Sequence, residues 1–75
     1  MANLEQLYNQ EIGEFGKKFK ALRKAKGLTQ LDIDVATGIN RTEISKIENG
    51  LKNIEFITIV KLAIGLDINL KDFFK

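Results

Sequence analysis

Seventy-five residues with no Cys and no His make one small domain in which neither disulfides nor a zinc site is expected to support the fold, and which buries only about 60% of its unfolded surface. Its 44% hydrophobic content excludes a disordered chain, while no apolar run approaches the ~18 residues of a membrane helix and no basic-then-apolar start suggests a signal peptide, so the cytoplasm is the expected location. The net charge of +2 is modest for a nucleic-acid binder, which gives more weight to its distribution than to its sum.

Residues 1–14 keep a helical period through Leu4, Leu7, Tyr8 and Ile12, in phase with Phe15, Phe19 and Leu22. Either the first helix extends backward or a separate short helix packs on the domain. Gly13 and Gly16 favour the break, because each costs about 1 kcal/mol relative to Ala inside a helix. The expected division is therefore an N-terminal extension over 1–14 and a domain over 15–75.

The first helix of that domain should span 15–26 and end at Gly27. Charge is uneven here: Glu5, Glu11 and Glu14 are the charged side chains of residues 1–16, whereas residues 17–26, KKFKALRKAK, hold cations and no acid. A basic cluster placed there suits phosphate, with Lys17 and Lys26 as candidate contacts, although a solvated helix face has the same composition.

The next segment, GLTQLDIDVATGINRTEISKIENG, is the most informative in the chain. Thr29 is a natural N-cap, and Asp32 three residues on makes a capping-box-like partner. Gly38 sits where a backbone with φ > 0 would end the helix 30–37. Asn40 then caps a helix over 41–48, and Asn49-Gly50 supplies the stop. Two short helices joined by a three- to four-residue turn holding a Gly form a helix-turn-helix. DNA binding is the function that follows. A fourth helix is expected over 55–66, and a short fifth, LKDFF, is expected to be capped by Asn69.

The spacing of Gln30, Gly38, Ile44 and Ile47, with the strings GLTQ, RTEISKIENG and NLKDFF, resembles the Xre/Cro-type helix-turn-helix proteins. That family contains phage repressors, bacterial regulators, antitoxins and the controller proteins of restriction–modification systems. The resemblance runs from Phe15 to Phe74 and implies an all-α, five-helix repressor-like domain. It also implies an ion pair between Arg23 and Glu48, joining the first helix to the end of the third, and a backbone-clamping role for Gln30.

On the helix 41–48, Ile44, Ile47 and, just beyond, Leu51 should face the core. The opposite stripe holds Arg41, Thr42, Ser45 and Lys46, the candidates for reading base edges in the major groove of double-stranded DNA. Arg41 and Lys46 lead, since Arg donates twice to guanine O6 and N7 for about 1–3 kcal/mol of discrimination. Glu43 either accepts from cytosine or pairs with Lys46 in solvent. Gln30, Asn40, Asn49, Lys52 and Asn53 are the phosphate candidates, positioning without specifying sequence. Caps and turns also select Asn on their own account.

Three positions depart from the resembling family. Asp34 stands where Ala is preferred and needs a partner such as Ser45, or water. Ile54 replaces a Pro and Glu55 a Ser, a poor start for the fourth helix. On that helix, Phe56, Ile59, Ala63 and Leu66 should face the core, yet Ile57, Val60 and Ile64 form a second apolar stripe. A helix apolar nearly all round is covered nearly all round. The cover is either a second copy, giving a homodimer through the fourth and fifth helices with Phe74 nearby, or Leu4, Leu7 and Tyr8 of the same chain. No cofactor, metal or small-molecule ligand is expected. An enzyme is disfavoured, because a hydrolase would rely on Asp, Glu or Lys and the carboxylates show no convergent pair. A protein-binding module on the same fold remains the alternative class.

Overall fold

The computed structural model describes residues 3–75. Four α-helices, α1 (Leu4–Ala25), α2 (Gln30–Thr37), α3 (Arg41–Glu48) and α4 (Phe56–Leu66), precede a 3-10 helix over Leu70–Phe74. The fold is all-α, with four α-helices rather than five. The closing LKDFF segment is too short to propagate an α-helix: the Asp72 amide donates to the Asn69 carbonyl three residues back, at 2.9 Å. Here the capping bond runs from the Asn69 amide to the Asp72 carboxylate, at 3.0 Å.

No separate N-terminal helix forms. α1 is continuous over 22 residues, starting at an Asn3 cap that accepts from the Gln6 amide at 2.8 Å, while Gln6 accepts from the Asn3 amide at 3.2 Å. Gly13 and Gly16 both lie inside it, and at Gly16 the lack of a side chain is required by another backbone. A Cβ on Gly16 would overlap the Ile47 carbonyl oxygen and lie 3.0 Å from that of Glu48. Gly50, at φ +69, brings its own backbone so near that a Cβ there would stand 2.9 Å from the Gly13 Cα. The propensity lost at Gly16 is offset by seating the end of α3 directly on α1.

The two short helices are closed by local bonds. Thr29 Oγ1 accepts from the Asp32 amide at 3.1 Å, and Asp32 accepts from the Thr29 amide at 2.7 Å. That Thr29 amide holds the Asp32 carboxyl below its ordinary 3.8. Gly38, at φ 79, ends α2, its amide donating to the Asp34 carbonyl at 2.8 Å, and Asn40 Oδ1 then accepts from the Glu43 amide at 2.8 Å. Phe19, Ile33, Ile44, Ile47, Leu62 and Leu66 are fully buried where the four helices meet. Phe15 and Phe73 extend this core toward the chain end, with ring centroids 5.0 Å apart.

Several side chains lie elsewhere than their spacing suggests. Leu51 is exposed, because Gly50 turns the chain left-handed and carries the next residue off the α3 axis. On α4 the buried positions are Leu62, Ala63 and Leu66, with Ile59 packed beside them, whereas Phe56 is exposed. Glu55 makes no side-chain cap, so α4 begins without one. Asp34 is half-buried, and Ser45 is not its partner; as no buried polar side-chain atom among the described residues lacks a hydrogen bond, its carboxylate reaches water.

The two glycines of α1 should respond in opposite directions. Gly13→Ala meets nothing within 4 Å and should gain up to about 1 kcal/mol from helix propensity. Gly16→Ala must displace the end of α3 and should lose about 1–3 kcal/mol. Urea unfolding of both variants checks this; shifts of the same sign would show that α1 and α3 are not in backbone contact.

Candidate nucleic-acid interface

α3 presents one face inward and the other to solvent. Ile44 and Ile47 are buried, while Arg41, Thr42 and Lys46 are exposed and Ser45 is half-buried. The turn from Gly38 to Asn40 sets α2 and α3 so that Gln30, at the start of α2, joins Arg41, Thr42, Ser45 and Lys46 around one shallow surface hollow. A second hollow beside it is lined by Asn40, Thr42, Glu43, Lys46 and Lys52. Thr42 and Lys46 border both. The surface therefore combines hydrogen-bond donors, the exposed cationic side chains of Arg41 and Lys46, and the amino ends of two helices, whose dipoles favour anions.

A buried network holds this surface in place. Arg23 Nε donates to Glu48 Oε2 at 2.7 Å and Nη2 donates to Oε1 at 3.1 Å, in a two-point pair. Arg23 Nη1 donates to the Leu28 carbonyl at 2.8 Å, fixing the segment that leads into α2. Gln30 Nε2 donates to Glu48 Oε1 at 3.2 Å, leaving its second amide hydrogen and its oxygen free. Arg23 and Glu48 are only 8% and 6% exposed, so all the charge is satisfied internally. One carboxylate thus links α1, α2 and the end of α3.

The remaining phosphate candidates are placed differently from one another. Asn40 is exposed at the α3 start, and Asn49 Nδ2 donates back to the Ser45 carbonyl at 2.9 Å. Lys52 forms an ion pair with Glu43, a pairing across the helix stop that neither residue's local sequence announces; Lys46 is not the partner of Glu43. Asn53 lies away from this face, lining hollows against α1 with Glu11 and Ile12. Lys26 Nζ donates to the Asp67 carbonyl at 3.4 Å, at the carboxyl end of α4. Lys17 is exposed and 3.7 Å from Glu14. Neither Lys17 nor Lys26 lines the hollows around α3.

A helix-turn-helix family profile matches residues 19–73, which is most of the chain. The chain belongs to the Xre/Cro-type helix-turn-helix family of DNA-binding regulators. Among relatives of this helix-turn-helix chain, the control protein C.MunI of Mycoplasma sp is 39% identical over 61 residues, covering 80% of this chain and 82% of the relative. Among solved structures, the restriction–modification controller protein C.AhdI from Aeromonas hydrophila superposes with a TM-score of 0.82 at 33% identity, covering 85% of this chain and 97% of that one. The wild-type controller protein C.Esp1396I gives a TM-score of 0.79 at 28% identity, covering 84% and 83%. No helix among the described residues is long and apolar enough to cross a membrane.

Removing one partner of a buried pair leaves the other charge stranded, at a cost of about 3–5 kcal/mol, whereas an exposed pair contributes under about 1 kcal/mol. Glu48→Ala should fall in the former range by urea unfolding, and a loss under about 0.5 kcal/mol would dismiss the network as the tie between the helices.

Proposed function

We propose that this protein is a sequence-specific transcription regulator of the restriction–modification controller type, acting as a homodimer on a palindromic operator. The observation that carries the reading is the exposed α3 face, on which Arg41, Thr42, Ser45 and Lys46 stand together beside Gln30 while Ile44 and Ile47 anchor the helix from behind. In this reading α3 lies in the major groove of double-stranded DNA. Arg41 and Lys46 take guanine or other acceptor edges, and Thr42 and Ser45 supply shorter donors. Gln30, Asn40 and Asn49 set the register on phosphate, with Asn53, Lys17 and Lys26 as outer contacts, while Lys52 is held beside them by Glu43. Residues 15–75 form the DNA-binding unit, lengthened by the first turns of α1. Regulation comes from dimerisation and protein concentration, with no cofactor or small-molecule ligand.

The homodimer is supported by the second stripe of α4. Ile57 and Ile64 remain 55% and 69% exposed, Val60 is half-buried, and Phe74 is exposed near the chain end. Leu4, Leu7 and Tyr8 are themselves exposed and do not supply the cover from within the chain. A two-fold axis through α4 pairs the stripe with its own copy. The two α3 helices then meet half-sites about 34 Å apart. The near alternatives are an antitoxin that binds DNA and also masks a toxin, and a helix-turn-helix used to bind protein.

Selection of bound duplexes from a randomised DNA pool tests the reading. The expected result is an enriched palindrome with half-sites about one helical turn apart. Absence of enrichment, with only weak salt-sensitive retention, would favour the protein-binding alternative. Sedimentation tests the dimer separately: Ile57→Lys with Ile64→Lys should give a folded monomer, and a variant still dimeric would place the interface elsewhere.

A further inference from the structure

The ion pair between Glu43 and Lys52 lies on the flank of the proposed DNA surface, and its position suggests more than loop anchoring. Glu43 is a first-turn residue of α3, fixed through its amide by Asn40, and its half-buried carboxylate borders the hollow that Thr42 and Lys46 share with the base-reading face. Lys52 belongs to the segment between Gly50 and α4, which has no regular structure of its own. The carboxylate therefore reaches from the recognition helix to hold a cation that the next segment brings alongside. A phosphate arriving at this flank competes with Glu43 for the same ammonium group. If it wins, it leaves a carboxylate unpaired beside a polyanion.

We infer that Glu43 acts on DNA recognition through Lys52, withholding that cation from sequence-independent phosphate contact and so sharpening discrimination between operator and other DNA. This rests on the DNA-binding reading and extends it to how the surface limits non-specific retention. The physical basis is counterion release: each cation newly committed to phosphate adds about 0.9 to the salt slope of binding, with no gain in sequence information. An engaged Lys52 raises affinity for every duplex alike. A sequestered one leaves the contrast to Arg41, Thr42, Ser45 and Lys46. The reading also gives Glu43 a part distinct from accepting a cytosine amino group.

A four-member cycle decides it: the natural protein, Glu43→Gln, Lys52→Gln and the double variant, with circular dichroism melting to verify folding. Each is titrated onto a mixed-sequence duplex of about two helical turns by fluorescence anisotropy across a salt series. Glu43→Gln should tighten this binding severalfold and steepen the salt slope by about 0.9 for each bound protomer, about 1.8 for the dimer. Lys52→Gln should lower the slope by well under half that amount when Glu43 is present, and by the full amount when it is Gln. Equal losses in both backgrounds would show that the two charges act independently and overturn the inference. So would a Glu43→Gln variant that changes binding only at one base pair of a selected site, since that marks a base reader. If the natural protein binds no duplex at any salt concentration, the DNA-binding reading falls and takes this inference with it; loss of coupling alone leaves that reading intact.

Discussion

Arg23 and Glu48 meet in the interior with two hydrogen bonds between them, and the rest of the domain is arranged around that contact. Three helices converge there. Arg23 belongs to α1, Glu48 closes α3, and the Gln30 amide reaches the same carboxylate from the start of α2. A carboxylate in the last turn of a helix opposes the helix dipole, and burial adds to its cost. Both are answered by one guanidinium whose third nitrogen donates to the Leu28 carbonyl. Polar groups buried this way contribute less to net stability than apolar packing of the same volume, but they tolerate few alternative arrangements. In this domain the arrangement they admit is the one that aims α3 outward.

Around that contact the chain spends conformational freedom unevenly. α2 and α3 are short, closed at both ends by capping residues and left-handed turns, and backed by fully buried isoleucines. α4 starts without a side-chain cap and keeps much of its apolar surface in solvent. The firm half carries the surface proposed to face DNA, and the less defined junction from Leu51 to Glu55 precedes the helix whose outer stripe is proposed to meet a second copy. Folding and the proposed dimerisation thus draw on different surfaces of the same small domain.

Much of this is legible in the sequence where its causes are local. The α2 and α3 boundaries follow from Thr29, Gly38 and Asn40, because a cap or a left-handed glycine acts within three or four residues. What is not legible is set by distant backbone. Gly16 looks like a helix breaker until the Ile47 carbonyl stands against it, and Gly13 is simply carried inside the continuous helix. Phe56 is exposed where its spacing predicts the core, and Leu62 is buried instead, because a helix apolar on most sides has no polar face to fix its rotation. Glu43 and Lys52 pair across a helix stop, where sequence separation carries no periodic signal. For the DNA-facing surface, the α3 stripe needs only helical geometry to be seen, whereas the placement of Lys26 against Asp67 depends on how α1 and α4 pack.

The seating of α3 on the glycines of α1 has a mechanical consequence. Backbone against backbone leaves no flexible side chain between the two helices to take up a change in angle, and the internal ion pair pins the same end. The recognition helix is therefore a stiff probe. On meeting a duplex whose groove is slightly too narrow or too straight, the compliant partner is the nucleic acid. Bending and groove-width changes depend on base steps that no side chain touches, so in the proposed complex part of the sequence preference would be written in the elasticity of the DNA.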